Sequence, residues 1–140
     1  MQISEHYVNY PKRTLIVLTN NELAKLLLVN DREVDEIALL KVDTEIPEER
    51  SSGTANSAPP DIDEIKRHSR MELYKQLSDK LMKSRKDVEE IILCAPEANK
   101  NELLDAMHTD IQQLVKEVVP KNLASLPLDQ VVRILQESRP

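Results

Sequence analysis

The sequence predicts a mixed α/β fold, a five-stranded mixed sheet with helices on its faces. Three observations carry that prediction. Thr14–Thr19 (TLIVLT) is a short run of strand formers with apolar side chains at consecutive positions, as in a strand covered on both faces. Asp61–Lys86 places Leu73, Leu77 and Leu81 at every fourth residue with Tyr74 beside them, the stripe of a helix lying on a sheet. The second half alternates short apolar runs with helical stripes, an order that produces parallel strands through crossover helices.

The elements follow in order. After Thr14–Thr19, Asn20-Asn21 is a turn signal, because Asn tolerates positive φ better than most residues. Leu23–Val29 (LAKLLLV) follows. Its leucines alone fit a helix as well, but the short spacing and the turn residues on both sides favour a hairpin strand. Asp31-Arg32-Glu33 is the next turn. Val34–Val42 is the third strand, and Asp35 and Glu36 near its start suit a sheet edge. Thr44–Pro60 holds Pro47, Pro59, Pro60, three serines and Gly53, with almost nothing apolar. Such a segment cannot bury enough surface to offset its ordering entropy. It is expected to be a flexible internal linker, or a mobile loop that orders on a partner.

Asp61–Lys86 is the longest helix, with Asp61, Asp63 and Glu64 at the positive end of its dipole. Lys66 and Arg70 extend the leucine stripe toward its start. A core-facing Arg is costly unless paired, so the first turns are expected to overhang the sheet and leave both cations in solvent. Lys80, Lys83, Arg85 and Lys86 crowd the far end, where cations suit the dipole. Glu89–Cys94 is a buried strand ended by Ala95-Pro96. Asn99 with Glu102 reads as an N-cap and its reciprocal partner. Leu103, Leu104, Met107, Ile111 and Leu114 form a helical stripe. Thr109 with Gln112 suits a second cap, so a kink is expected near His108. Val115–Val119 is a last strand, stopped by Pro120. Pro127 opens a final helix with Leu128, Val131, Val132 and Leu135 as its core positions.

The order is β-β-β, linker, α-β-α-β-α, and short hairpins and right-handed crossovers predict the strand order 3-2-1-4-5. This is the element order of ribonuclease-H-like folds. Nucleases of that fold need convergent carboxylates to hold divalent metal. TLIVLT has no acid, and the fourth strand ends in Cys94-Ala95, so no metal or other cofactor is expected.

Composition bounds the function further. The chain has 140 residues, enough for one domain, 1–140, with a real core. It has no Phe or Trp and three Tyr, so the core must be aliphatic. Its one glycine, against roughly ten at average usage, excludes glycine-rich phosphate loops. One cysteine allows no internal disulfide, and no apolar run approaches membrane-span length, which points to a reducing compartment and the cytoplasm. The net charge is −6, yet residues 61–86 carry eight bases and five acids. The chain is therefore no general nucleic-acid binder, but that helix suits a local contact to a phosphate or acidic surface. Cys94 reads as a small core residue. His6, His68 and His108 lack metal-ligand spacing and read as surface or cap residues.

Ile91-Ile-Leu-Cys-Ala-Pro-Glu, then Asn101-Glu-Leu-Leu-Asp-Ala-Met, Val118-Val-Pro-Lys-Asn-Leu and Leu123-Ala-Ser-Leu-Pro-Leu-Asp-Gln resemble the bacterial host attachment proteins. These are relatives of the middle domain of archaeal and eukaryotic class I release factors. The resemblance covers roughly residues 14–136. In the first half, Thr19-Asn20-Asn21 and Ala24 fall where the family often has an Ala-Asp-Gly turn and an alanine, with Thr for Ala, Asn for Asp and Asn for Gly. The resemblance implies a release-factor middle-domain-like fold. It also places Thr44–Pro60 where release factors carry the Gly-Gly-Gln loop that helps release the peptide. A single glycine makes no Gly-Gly, and the segment has no Gln.

The expected function is thus a non-enzymatic binding module without peptide-release activity. Its partner would be ribosome, RNA or protein, met through the linker and basic helix at Gly53, Arg67, Arg70, Lys80, Lys83 and Lys86. Two other readings stay open at this point. One is a small hydrolase or nuclease with a cryptic site. The other is a homodimer through an exposed sheet edge at Val34–Val42.

Overall fold

The computed structural model describes residues 1–42 and 61–138. Thr44–Pro60, with Gly53, lies outside them. The strands are β1 (Tyr10–Thr19), β2 (Leu23–Asp31), β3 (Glu33–Lys41), β4 (Glu90–Cys94) and β5 (Val115–Val119), and the helices are α1 (Ile62–Ser84), α2 (Lys100–Ala106), α3 (Thr109–Leu114) and α4 (Leu128–Glu137). The strand order is β3-β2-β1-β4-β5, with β1–β2 and β2–β3 antiparallel and β1–β4 and β4–β5 parallel. This is the predicted mixed sheet and the predicted order.

Strand alternation builds two cores. Leu15 and Val17 of β1, Leu26 of β2 and Ile91 and Leu93 of β4 pack with Leu73, Tyr74, Leu77 and Leu81 of α1, Leu103 of α2 and Ile111 of α3. Ile16, Leu18, Leu27, Val29, Ile92 and Cys94 point the other way, onto Val131, Val132 and Leu135 of α4. The consecutive apolar residues of TLIVLT are needed because β1 serves both layers. Leu77 sits at the centre of the α1 stripe and is fully buried. Leu128, expected in the core, is only partly buried against it.

Turns and helix ends are made without glycine by different devices. At the β1–β2 turn, Asn20 Oδ1 accepts from Glu22 N and Leu23 N, both at 2.8 Å. Asn20 therefore acts through its side chain, as in Asx turns, and not through the positive φ expected there. Positive φ falls instead on Asp31, at 55°, in the β2–β3 turn. Asp61 caps α1, accepting from Glu64 N at 3.2 Å.

Three further sequence readings are corrected. β1 begins at Tyr10 and not Thr14. Tyr10 pairs with Asp31 across a register shift that also spans Pro11, so the polar, proline-bearing start hid an extended segment. Asn99 makes no capping bond. A one-turn 3-10 helix, Glu97–Asn99, runs into α2 and leaves Asn99 at φ −117°, ψ −2°, outside the extended geometry a cap needs. Glu102, its supposed partner, is engaged elsewhere. The kink near His108 is present between α2 and α3, but His108 and not Thr109 makes the cap: its Nδ1 accepts from Asp110 N at 3.1 Å.

The N-terminal residues are structural. Ile3 is buried. Met1 and Val34 exchange backbone bonds at 2.8 Å, and Ile3 N donates to Arg32 O at 2.7 Å. Gln136 of α4 donates to Val8 O at 2.9 Å. No helix among the described residues is long and apolar enough to cross a membrane.

Candidate functional site

The 23 residues of α1 span about 35 Å, and the residues expected to form one basic surface divide between its two ends. The first end lies at the carboxyl ends of β1 and β4, beside the Asn20–Glu22 turn. Ile62, 45% exposed, and Arg67 are open to solvent at the first turns. Arg67 is 3.7 Å from Glu64, one turn back.

That exposure stops before Arg70, which corrects the expectation that this cation lies in solvent. Its side chain is only 14% exposed. Arg70 Nε donates to Glu102 Oε1 at 2.6 Å, Nη2 donates to Oε2 at 3.3 Å, and Nη1 donates to Asn21 Oδ1 at 3.4 Å. The fork joins α1 to α2 and to the β1–β2 turn. The Glu102 hydrogen bond holds the guanidinium's pKa above its usual value, against the opposing effect of burial. Lys66, its neighbour on the stripe, is half-buried. Tyr74, one turn into the core, is fully buried, and its hydroxyl has no hydrogen-bond partner among the described residues. Burial pushes this phenol up to about 12.

The second end differs. Lys80, Lys83 and Lys86 are exposed, and none is ion-paired with a carboxylate among the described residues. An open groove of about 550 Å³ is lined by Asp79, Met82, Lys83, Arg85 and Lys86. The helix stops at Ser84, and a 3-10 turn, Arg85–Asp87, carries the chain into β4. Arg85 Nη1 donates to Met82 O at 2.6 Å, filling a carbonyl left open by the helix end. Arg85 was not among the expected site residues, although it stands in the same basic run. Lys83 lies about 24 Å along the axis from Arg67 and roughly 160° around it. The two cannot share one small ligand. Gly53 lies outside the described residues.

The other reactive side chains have structural places. Cys94 is fully buried, and burial pushes its thiol up to about 12, so it holds its proton at neutral pH. Thr19 Oγ1 donates to Cys94 O at 2.9 Å, joining the ends of β1 and β4. His6 and His68 are exposed, and His108 is the α3 cap. Among the described residues no three His, Cys, Asp or Glu side chains group so as to hold a metal ion. The Ala95-Pro96 and Lys121–Ala124 stretches that carried the resemblance are also structural. Ala95 N donates to Val119 O at 3.1 Å, and Ala95, Leu123 and Ala124 are buried.

A mixed sheet in this order, with one long helix and two short ones on one face and a last helix on the other, is a release-factor middle-domain-like fold. The chain belongs to bacterial archaeo-eukaryotic release factor family 12, whose sequence profile matches residues 13–135. Among solved structures it is similar to an archaeal translation termination factor, aRF1, with 13% identity and a TM-score of 0.52 over 89% of this chain and 39% of that one. It is also similar to S. cerevisiae Dom34, a translation termination-like factor involved in RNA quality control pathways and interacting with Hbs1. There the identity is 14% and the TM-score 0.56, over 95% of this chain and 34% of that one. An archaeal protein gives a TM-score of 0.55 at 13% identity, over 89% of this chain and 33% of that one. The chain thus spans between a third and two fifths of each of these proteins, and the likeness concerns the fold. A comparison with curated protein sequences gave no match.

Proposed function

We propose that this protein is a non-enzymatic binding module that contacts RNA phosphates of the translation machinery through the open, basic end of α1. The observation that carries this reading is the groove between Lys83, Arg85 and Lys86, whose two lysines have no carboxylate partner among the described residues. Exposed, unneutralised ammonium groups gain from displacing counterions on a phosphate backbone. Membership of a release-factor family supports RNA of the translation machinery as the class of partner. Cytoplasmic location and the host-attachment kinship belong to the same reading, and that kinship adds no chemistry of its own.

Peptide release is not part of the proposal. Release factors use a Gly-Gly-Gln loop, and this chain has one glycine. Arg70 also leaves the proposed contact surface, because Glu102 and Asn21 engage three of its five N–H donors and its side chain is only 14% exposed. Ribosome and RNA co-sedimentation at rising salt is the test. Binding is expected at low salt, and Lys80→Glu with Lys83→Glu and Lys86→Glu should abolish it. Undiminished binding by the triple variant would reject this surface.

A further inference from the structure

We infer that the second half of β3 is a self-pairing edge, through which two copies of the chain join into a continuous ten-stranded sheet. The edge strand has two unlike halves. Its first half is guarded: Met1–Ile3 bonds to Arg32 and Val34 along the open side, and a register shift follows, because Leu26 pairs with Ala38 while Leu27 pairs with Glu36. That bulge leaves Ile37 as the extra residue. Covering segments and bulges are the usual protections of an edge. Beyond the bulge the ladder is regular, and β3 is the last strand of the sheet on that side.

The register says which backbone groups remain. Val34 bonds outward to Met1, so its partner position on β2 is a non-hydrogen-bonded pair. Carrying the alternation through the bulge turns the N–H and C=O of Leu39 and Lys41 outward, away from β2. Ile37 and Leu39 are each 46% exposed. Ala38 and Leu40 pack toward α1. Leu39 sits across from Lys25 on the opposite face, beside a groove of about 210 Å³ whose lining mixes Leu18, Leu27, Leu126 and Val131 with the charged Lys25 and Glu36.

The charge pattern selects a second copy as the occupant. Glu36 stands just before the bulge, at the position two β2 residues from Leu39, and Lys41 stands two positions beyond Leu39 on the other side. Antiparallel self-pairing about Leu39 brings each Lys41 alongside the partner's Glu36, and packs Leu39 against the partner's Leu39 at the rim of both grooves. Opposite charges across paired strands favour that register and like charges oppose others. A two-fold axis makes the contact closed, so it ends at a dimer.

Sedimentation equilibrium of the full chain, at moderate salt and from micromolar to hundreds of micromolar, is the test. The mass should rise toward twice the 16.0 kDa of one chain. Leu39→Lys replaces an exposed side chain, so it should stay folded by circular dichroism and become monomeric. Lys41→Glu and Glu36→Lys should each weaken association severalfold, and the two together should restore it. A monomer throughout, a dimer indifferent to Leu39→Lys, or a charge swap that fails to restore association would each overturn the inference. A monomer that still binds RNA would leave the reading of the α1 groove standing.

Discussion

Arg70 and Lys83 are both cations of α1, yet their surroundings give them different work. Arg70 is enclosed by a forked contact to Glu102 and a further bond to Asn21. Its charge is spent inside the protein, holding two helices and a turn together. Lys83 stands at the rim of an open groove with no carboxylate partner among the described residues. Composition counts both as +1, and only the fold separates a structural charge from one available to a partner.

The comparison depends first on the helix between the two ends. Leu77 is fully buried among Leu73, Leu81 and the sheet, so Leu77→Ala should cost about 2–5 kcal/mol in urea or thermal unfolding. A near-neutral result would mean that α1 does not anchor either end as described. The enclosed end comes next. Glu102→Ala leaves a poorly exposed guanidinium without its main acceptor and should cost about 1.5–3 kcal/mol, with Glu102→Gln between that and wild type. If Arg70 were solvated, both changes would be close to silent. Helix starts give a smaller contrast. Asp61→Ala removes a real capping bond and should cost about 1 kcal/mol, whereas Asn99→Ala removes none and should stay within about 0.5 kcal/mol. Equal losses at the two sites would contradict that distinction. Least of all for stability, Lys83→Ala at the open end should stay within about 0.5 kcal/mol while weakening RNA binding.

Much of the scaffold was legible because its signals are local. TLIVLT announces a strand with two buried faces, and β1 feeds both cores. Leu73, Leu77 and Leu81 announce the face of α1. Val115–Val119 between a helical stripe and Pro120 gives β5 to the residue. What escaped was set by contacts distant in sequence. Arg70 was expected in solvent because its neighbours on the helix offer no partner. Glu102 is 32 residues away and looked committed to capping Asn99. The start of β1 was hidden because Pro11, Lys12 and Arg13 lack a strand's apolar pattern. The candidate site was legible as a basic segment and not as a shape. A charge count over residues 61–86 cannot show that the helix separates Arg67 from Lys83 by about 24 Å. Arg85 could have been found from the basic run itself, had the helix end been placed before it.

The most direct test of the central claim is the salt dependence of RNA affinity for wild type, Lys83→Ala and Lys86→Ala. Wild-type affinity should fall linearly on logarithmic axes as salt rises, and each substitution should reduce that slope by about 1 as one phosphate contact is lost. Slopes unchanged by both substitutions would contradict the assignment of the open end of α1 as the contact surface.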